Sequence, residues 1–196
     1  MKKLLLLLFF TGNMSMAQTQ LTVMSADSKV MWTGTKITGY HQGIVKIKEG
    51  KIEMRDHKLT GGYFILDMST ITVTDIPDTD PIPKRNLENH LKDGDFFDVH
   101  RYPTAKFVIT SVNTQAENPR QHRITGNLTI KGITRPHSLQ AEVSKQSHQL
   151  FVAKAEMKFD RQQFGVAYKG LKDELVHDLV KLDIVVTARE KASNPK

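Results

Sequence analysis

Eight histidines and a close set of aspartates are the residues of this chain best suited to chemistry. Histidines paired at short spacing on one element would suit zinc, but no His-Glu-x-x-His segment occurs. His90 and His100 stand across an expected turn, and His137 and His148 fall on neighbouring expected strands. A two-histidine site stays geometrically open, yet zinc is usually held by three or four protein ligands. The histidines are therefore read as structural or surface groups, and no metal is expected. Asp93, Asp95 and Asp98 offer oxygens for calcium, but the later glutamate of a calcium loop is missing. Turn and helix-end roles fit them better. There is no Gly-x-Ser-x-Gly segment, no cysteine and no phosphate-cradling glycine loop. The chain thus reads as a non-enzyme with no catalytic residue and no cofactor.

What the chain carries in quantity is large apolar side chains. Trp32, Phe64, Leu66, Met68, Phe96, Phe97, Phe107, Ile109, Phe159 and Phe164 all lie within or beside expected strands. In Gly62 to Val73 both faces are apolar, with Phe64, Leu66 and Met68 alternating with Tyr63 and Ile65. A barrel of about eight strands has room inside for packed side chains or for one small ligand. On the pattern alone a filled core and a ligand cavity are both open.

The elements that must position these residues are short runs of period two, the mark of half-buried strands. The clearest is Phe151 to Asp160, where Phe151, Ala153, Ala155, Met157 and Phe159 share one face and Lys154, Glu156, Lys158 and Asp160 the other. Similar runs begin near Val30 and continue to Arg189, giving eight or nine strands in one domain. Glu49-Gly50 reads as a turn between Ile44 to Lys48 and Lys51 to Met54, and Lys131-Gly132 as another. Many strands at short spacing argue a sandwich or barrel. One helix is expected over Lys84 to Lys92, preceded by Pro81 and Pro83 and stopped by Asp93-Gly94. A second helical candidate, or an extended lid, is Leu171 to Val180.

The N-terminus carries an address. Lys2 and Lys3, the apolar run Leu4 to Phe10 and the small residues of Ser15-Met16-Ala17 have the form of a secretory signal. Cleavage after Ala17 is expected, leaving residues 18–196 as the working domain. The apolar run is far short of the roughly 20 residues of a membrane span. The absence of cysteine excludes disulfides and an N-terminal lipid anchor. The formal charge is +7. Its lysines are scattered along strand faces rather than gathered in runs, so nucleic acid is not an expected partner. An exported protein in the periplasm, without an integral membrane segment after cleavage, is the expectation.

One long segment carries a resemblance. His90-Leu91-Lys92-Asp93-Gly94-Asp95-Phe96-Phe97-Asp98-Val99, followed by Tyr102-Pro103-Thr104-Ala105-Lys106-Phe107, closely resembles the signature of the YceI-like, polyisoprenoid-binding family. Trp32-Thr33-Gly34, Gly126 to Pro136 and Asp160-Arg161-Gln162-Gln163-Phe164-Gly165-Val166 match it in the same order. The likeness runs from about Ser28 to Arg189. It implies an all-β fold: one eight-stranded antiparallel lipocalin-like barrel with one short helix packed beside it. It implies a long apolar ligand as partner, an isoprenoid, quinone tail or fatty-acid derivative, and no catalysis. Trp32, Phe64, Phe96, Phe97, Phe107, Ile109, Leu128, Phe159 and Phe164 are the expected tunnel wall. Arg161, Tyr168 and His41 are the expected head-group readers at the mouth. The charged stretch Lys169 to Asp178 departs from the family's glycine- and aromatic-rich loop, so the head group is the least transferable feature. A filled barrel serving as an interaction or stress-response module is the alternative, and a homodimer is left open.

Overall fold

The computed structural model of the protein describes residues 18–170 and 175–190. The expected signal segment lies outside the described residues. Nine strands follow in order: β1 (Gln18–Val23), β2 (Lys29–Lys36), β3 (Gly39–Arg55), β4 (Lys58–Val73), β5 (Thr104–Thr114), β6 (Gln121–Ile130), β7 (Ile133–Gln146), β8 (Leu150–Asp160) and β9 (Val176–Arg189). One helix, α1 (Pro81–Lys92), is inserted between β4 and β5. All pairings are antiparallel, and the β3–β4 and β2–β9 pairings close the sheet on itself. β1 and β2 share one slot: both lie between β3 and β9, with Gln18 opposite Arg55 and Val30 opposite Val45. The nine strands therefore build an eight-stranded barrel, as the resemblance implied, with α1 beside it. Closure removes the two long edges that an open sheet would present.

The pattern of period two was misread at β3. Glu49-Gly50 is no turn; β3 runs unbroken from Gly39 to Arg55. Gly43, Val45 and Ile47 face inward, then Lys48 and Glu49 both face out, then Gly50, Ile52 and Met54 face inward. A β-bulge between Ile47 and Glu49 resets the phase. Gly50 is needed for close packing rather than for turning, since a Cβ there would stand 2.8 Å from Val23 Cγ2 and 2.9 Å from the Tyr63 carbonyl oxygen. The helix proposed over Leu171 to Val180 is also corrected. Val176 to Val180 are the start of β9, registered against β2 and β8, and residues 171–174 lie outside the described residues. Main-chain pairing on both sides outweighs the helical spacing of the leucines there. The turn at Lys131-Gly132 holds, with φ of 49° and 73° as a tight two-residue hairpin requires.

Two stretches of the wall are not strand against strand. β4 pairs with β5 only over Tyr63–Asp67, so Met68 to Val73 lack that neighbour. α1 and the chain that follows it cover the gap: Glu88 accepts from Val73 N–H at 2.9 Å, and Met68 N–H donates to the Pro103 carbonyl at 3.0 Å. Pro81 and Pro83 occupy the first helical turn, where their missing N–H groups cost nothing. Lys84 bonds Asp78 just ahead of the helix and holds that carboxyl below its ordinary value. β7 likewise pairs with β8 only from Gln140 onward. Pro136 sits in the unpaired stretch, so no ladder bond to β8 is lost there. A short turn, Arg161–Phe164, packs against this gap, with the Phe164 ring 5.7 Å from His137.

Candidate functional site

The barrel is not filled. Ala105, Ala141, Ala153 and Ala155 are small inward residues that share one wall with Phe64, Phe107 and Phe151. The result is an apolar inner cavity, also walled by Ile52, Ile109, Leu128 and Val186. Phe107 fits because the facing strand carries Gly126 beneath its ring; a Cβ there would come within 2.5 Å of Phe107 Cζ.

A second cavity continues toward the α1 end, sharing Leu66, Ala105, Leu128 and Leu182 with the first. Trp32, Phe96, Phe97, Phe159, Val180 and Arg161 line it. A third shares Trp32, Gly34, Leu91, Phe96 and Val176 with the second and reaches the outside. Its wall adds Lys36, His41, His90 and Tyr168. The order from inside to outside is thus apolar, apolar, polar. Trp32 stands at the change: it is buried, and its indole N–H has no acceptor among the described residues.

The turn after α1 brings the aromatic pair of the signature segment inward. Phe96 N–H donates to the Asp93 carbonyl, Phe97 N–H to that of Leu91, and Asp98, at φ 47°, N–H to that of Asp93. These bonds fold the chain tightly enough to bury Phe96 against His90 and Tyr168, at ring distances of 5.0 and 5.3 Å. Asp93 and Asp98 serve this turn, and the Asp95 carboxylate accepts from His90 Nε2 at 2.9 Å. No three metal-ligating side chains converge among the described residues.

Of the expected wall residues, Trp32, Phe64, Phe96, Phe97, Phe107, Ile109, Leu128 and Phe159 line these cavities. Phe164 lines none of the three. It is fully buried behind Phe159, ring centres 5.7 Å apart, where it backs the wall. The three expected head-group readers part company. Tyr168 and His41 border the outer cavity, and His41 Nδ1 is fixed by Asp75 at 2.8 Å. Arg161 touches the middle cavity but is buried and spends its donors inside the protein. Its Nε bonds the His177 carbonyl at 3.1 Å, and its terminal nitrogens bond the Val166 and Val176 carbonyls and Asp178 at 2.8, 3.1 and 3.1 Å. It clasps the Arg161–Phe164 turn to the start of β9. His90, read as a structural or surface group, is a mouth residue whose imidazole is held by Asp95 and edged against Tyr168 at 4.5 Å. His177 and Thr35 were likewise missed and bond each other at 2.9 Å beside the same opening. Val176 and Val180 fell within the helical candidate, and the small alanines were legible only as strand residues facing inward.

The geometry is matched by similarity to known proteins. A family model for the YceI-like domain matches residues 21–188. A UPF0312 protein from Photorhabdus laumondii is 39% identical over 56 residues, and the match spans 28% of that protein's length. Among solved structures, Burkholderia cenocepacia BcnA superposes with a TM-score of 0.70 at 20% identity, covering 85% of this chain and 99% of that one. A polyisoprenoid binding domain from Saccharophagus degradans, implicated in plant cell wall breakdown, superposes with a TM-score of 0.63 at 10% identity, covering 90% and 100%. At these identities the structural likeness establishes the barrel and nothing finer.

Proposed function

The chain belongs to the YceI-like family, and from that premise we propose that it is a non-enzymatic carrier or store of one long-chain apolar lipid. The observation that carries this is the run of three wall-sharing cavities, apolar inside and polar at the opening. A ligand matched to it has a long hydrocarbon tail and a single oxygen-bearing end. An isoprenoid, a quinone tail or a fatty-acid derivative meets that description, and the S. degradans neighbour is described as polyisoprenoid binding. Burying such a tail recovers roughly 0.8 kcal/mol per methylene. Ordering the tail and losing its free motion offsets much of the sum. Tail selectivity is therefore low, since an apolar bore reads girth and length. Head selectivity falls to His41, His90 and Tyr168, and a head-group oxygen supplies the acceptor that Trp32 N–H lacks.

The same reading places the working protein in the periplasm, released after Ala17. N-terminal sequencing of secreted material that starts at Gln18 supports this; a retained Met1 start removes it. Among the described residues no helix is long and apolar enough to cross a membrane.

The test is native mass spectrometry and organic extraction of the purified exported chain. A mass excess that extraction releases as a long-chain lipid is the expected result. A ligand-free protein that takes up neither a quinone nor a polyprenol would overturn the proposal. A partner recovered by crosslinking in that case would favour the interaction-module reading.

A further inference from the structure

Large apolar side chains are exposed on this barrel mainly at one end. Ile37, Tyr40, Ile82, Leu175 and Leu179 are 61, 56, 61, 44 and 60% exposed, and only Met24, at 36%, lies apart from them among the described residues. Ile37 and Tyr40 flank the β2–β3 turn, and Leu175 and Leu179 stand at the start of β9. A bond from Ile37 N–H to the Leu175 carbonyl at 3.2 Å ties the two groups together. Ile82 opens α1, whose Leu87, His90 and Leu91 border the outer cavity. The exposed residues adjoin the cavity wall in sequence: Lys36 and Val176 line it, and Ile37 and Leu175 follow or precede them outside. The tunnel thus opens through a collar of unpartnered apolar groups.

We propose that this collar docks on the surface of a phospholipid bilayer, setting the tunnel mouth against the acyl region from which the cargo enters. The proposal rests on the lipid-carrier reading above. Magnitude selects the bilayer over a second copy of the chain. Five such side chains offer on the order of 100 Å² each, about 500 Å² in all. A stable interface takes about 800 Å² from each partner, with close complementarity. A bilayer asks for neither. About 500 Å² is also near what one myristoyl chain buries, and such an anchor holds membranes weakly, with an association constant of about 10⁴ M⁻¹. Contact of that strength lets a carrier leave again. An exposed patch of this size on a monomer is commonly functional.

The experiment is flotation of the exported chain with vesicles of phosphatidylcholine alone and with added phosphatidylglycerol. Wild type is expected to float with both. Ile37→Asp combined with Leu179→Asp is expected to lower the bound fraction at least tenfold, and Met24→Asp to leave it unchanged. Because the chain has no cysteine, Tyr40→Cys carrying an environment-sensitive dye gives a second reading that does not depend on the charged variant folding. Its emission should shift to the blue on vesicles, and that of a dye at Met24→Cys should not. Absence of wild-type flotation overturns the proposal. So does binding to anionic vesicles that the double variant retains, since charge then drives it. A concentration-dependent dimer abolished by Ile37→Asp overturns it in favour of a second copy. Extraction of the same samples separates the two readings. Bound lipid without flotation removes the docking and leaves the carrier; flotation without lipid removes the carrier and leaves a membrane contact.

Discussion

Arg161 and Phe107 show how differently two residues of one motif-rich chain hold a site. Arg161 bonds three backbone carbonyls and Asp178 while almost fully buried. Removing it leaves those carbonyls unpaired, and each costs about 1–3 kcal/mol. Arg161→Ala should therefore lower unfolding free energy by about 3 kcal/mol or more, measured by urea titration. Arg161→Lys should recover only part, because a point ammonium cannot fork to several acceptors. If either variant kept full stability and lost only lipid, Arg161 would be a head-group reader after all. Phe107 has no polar duty. Its ring lies over Gly126 and lines the inner cavity. Phe107→Asp should strongly reduce lipid occupancy in native mass spectra; unchanged occupancy in a folded variant would remove Phe107 from the binding wall.

At the scale of elements, bulges decide which faces look inward. β3 changes phase at Lys48–Glu49, and β4 changes phase near Ser69–Thr70, where Thr70 Oγ1 donates to the Asp67 carbonyl and Ser69 bonds the Asp67 carboxylate. Each reset keeps apolar side chains inside a curved wall that a regular strand would leave. The closest approach is at Gly43 of β3, where a Cβ would fall 1.7 Å from the Thr72 carbonyl oxygen of β4 and 2.7 Å from the Trp32 ring. Backbone cannot swing aside as a side-chain tip can. Gly43→Ala is accordingly expected to destabilise by about 3 kcal/mol, with Gly34→Ala, which meets nothing within 4 Å, as its mild control in the same urea titration. Strand pattern alone suggested glycine for turns at such places. Contact between neighbouring strands is the actual reason, and it joins residues 29 apart in sequence.

For the whole molecule, the proposed lipid carriage implies that part of the stability rests with the ligand. A lipid that binds only the folded barrel adds RT ln(1 + [L]/Kd), about 2.7 kcal/mol at a hundredfold excess over Kd. Protein refolded after organic extraction should melt several degrees lower than protein purified with its lipid, and adding polyprenol should restore the loss. Equal melting temperatures would show that the cavities are empty in the purified protein too. The outer face of β8 and β9 does not share in this: its Glu156, Lys181 and Asp183 ladder is exposed and holds the Glu156 carboxyl below its ordinary value through the Lys181 hydrogen bond. Such surface pairs contribute little.

The sequence by itself determined the family, the all-β class and most wall residues. Period two, paired aromatics and the His90 to Phe107 segment are local and survive without a structure. It also shows inward alanines, once a barrel is assumed. Three matters were settled only by tertiary structure. β1, too short to stand out, is a strand because β3 and β9 supply partners across the sheet. Val176 to Val180 are strand rather than helix because β2 pairs with Val176 and Val180, β8 with Leu179 and Val180, and Arg161 takes the Val176 and His177 carbonyls. Arg161 spends its donors inside the protein because the carbonyls it serves lie on a loop and a strand start that meet only when the barrel closes. In each case the deciding partner is remote in sequence, and no local pattern encodes the distance.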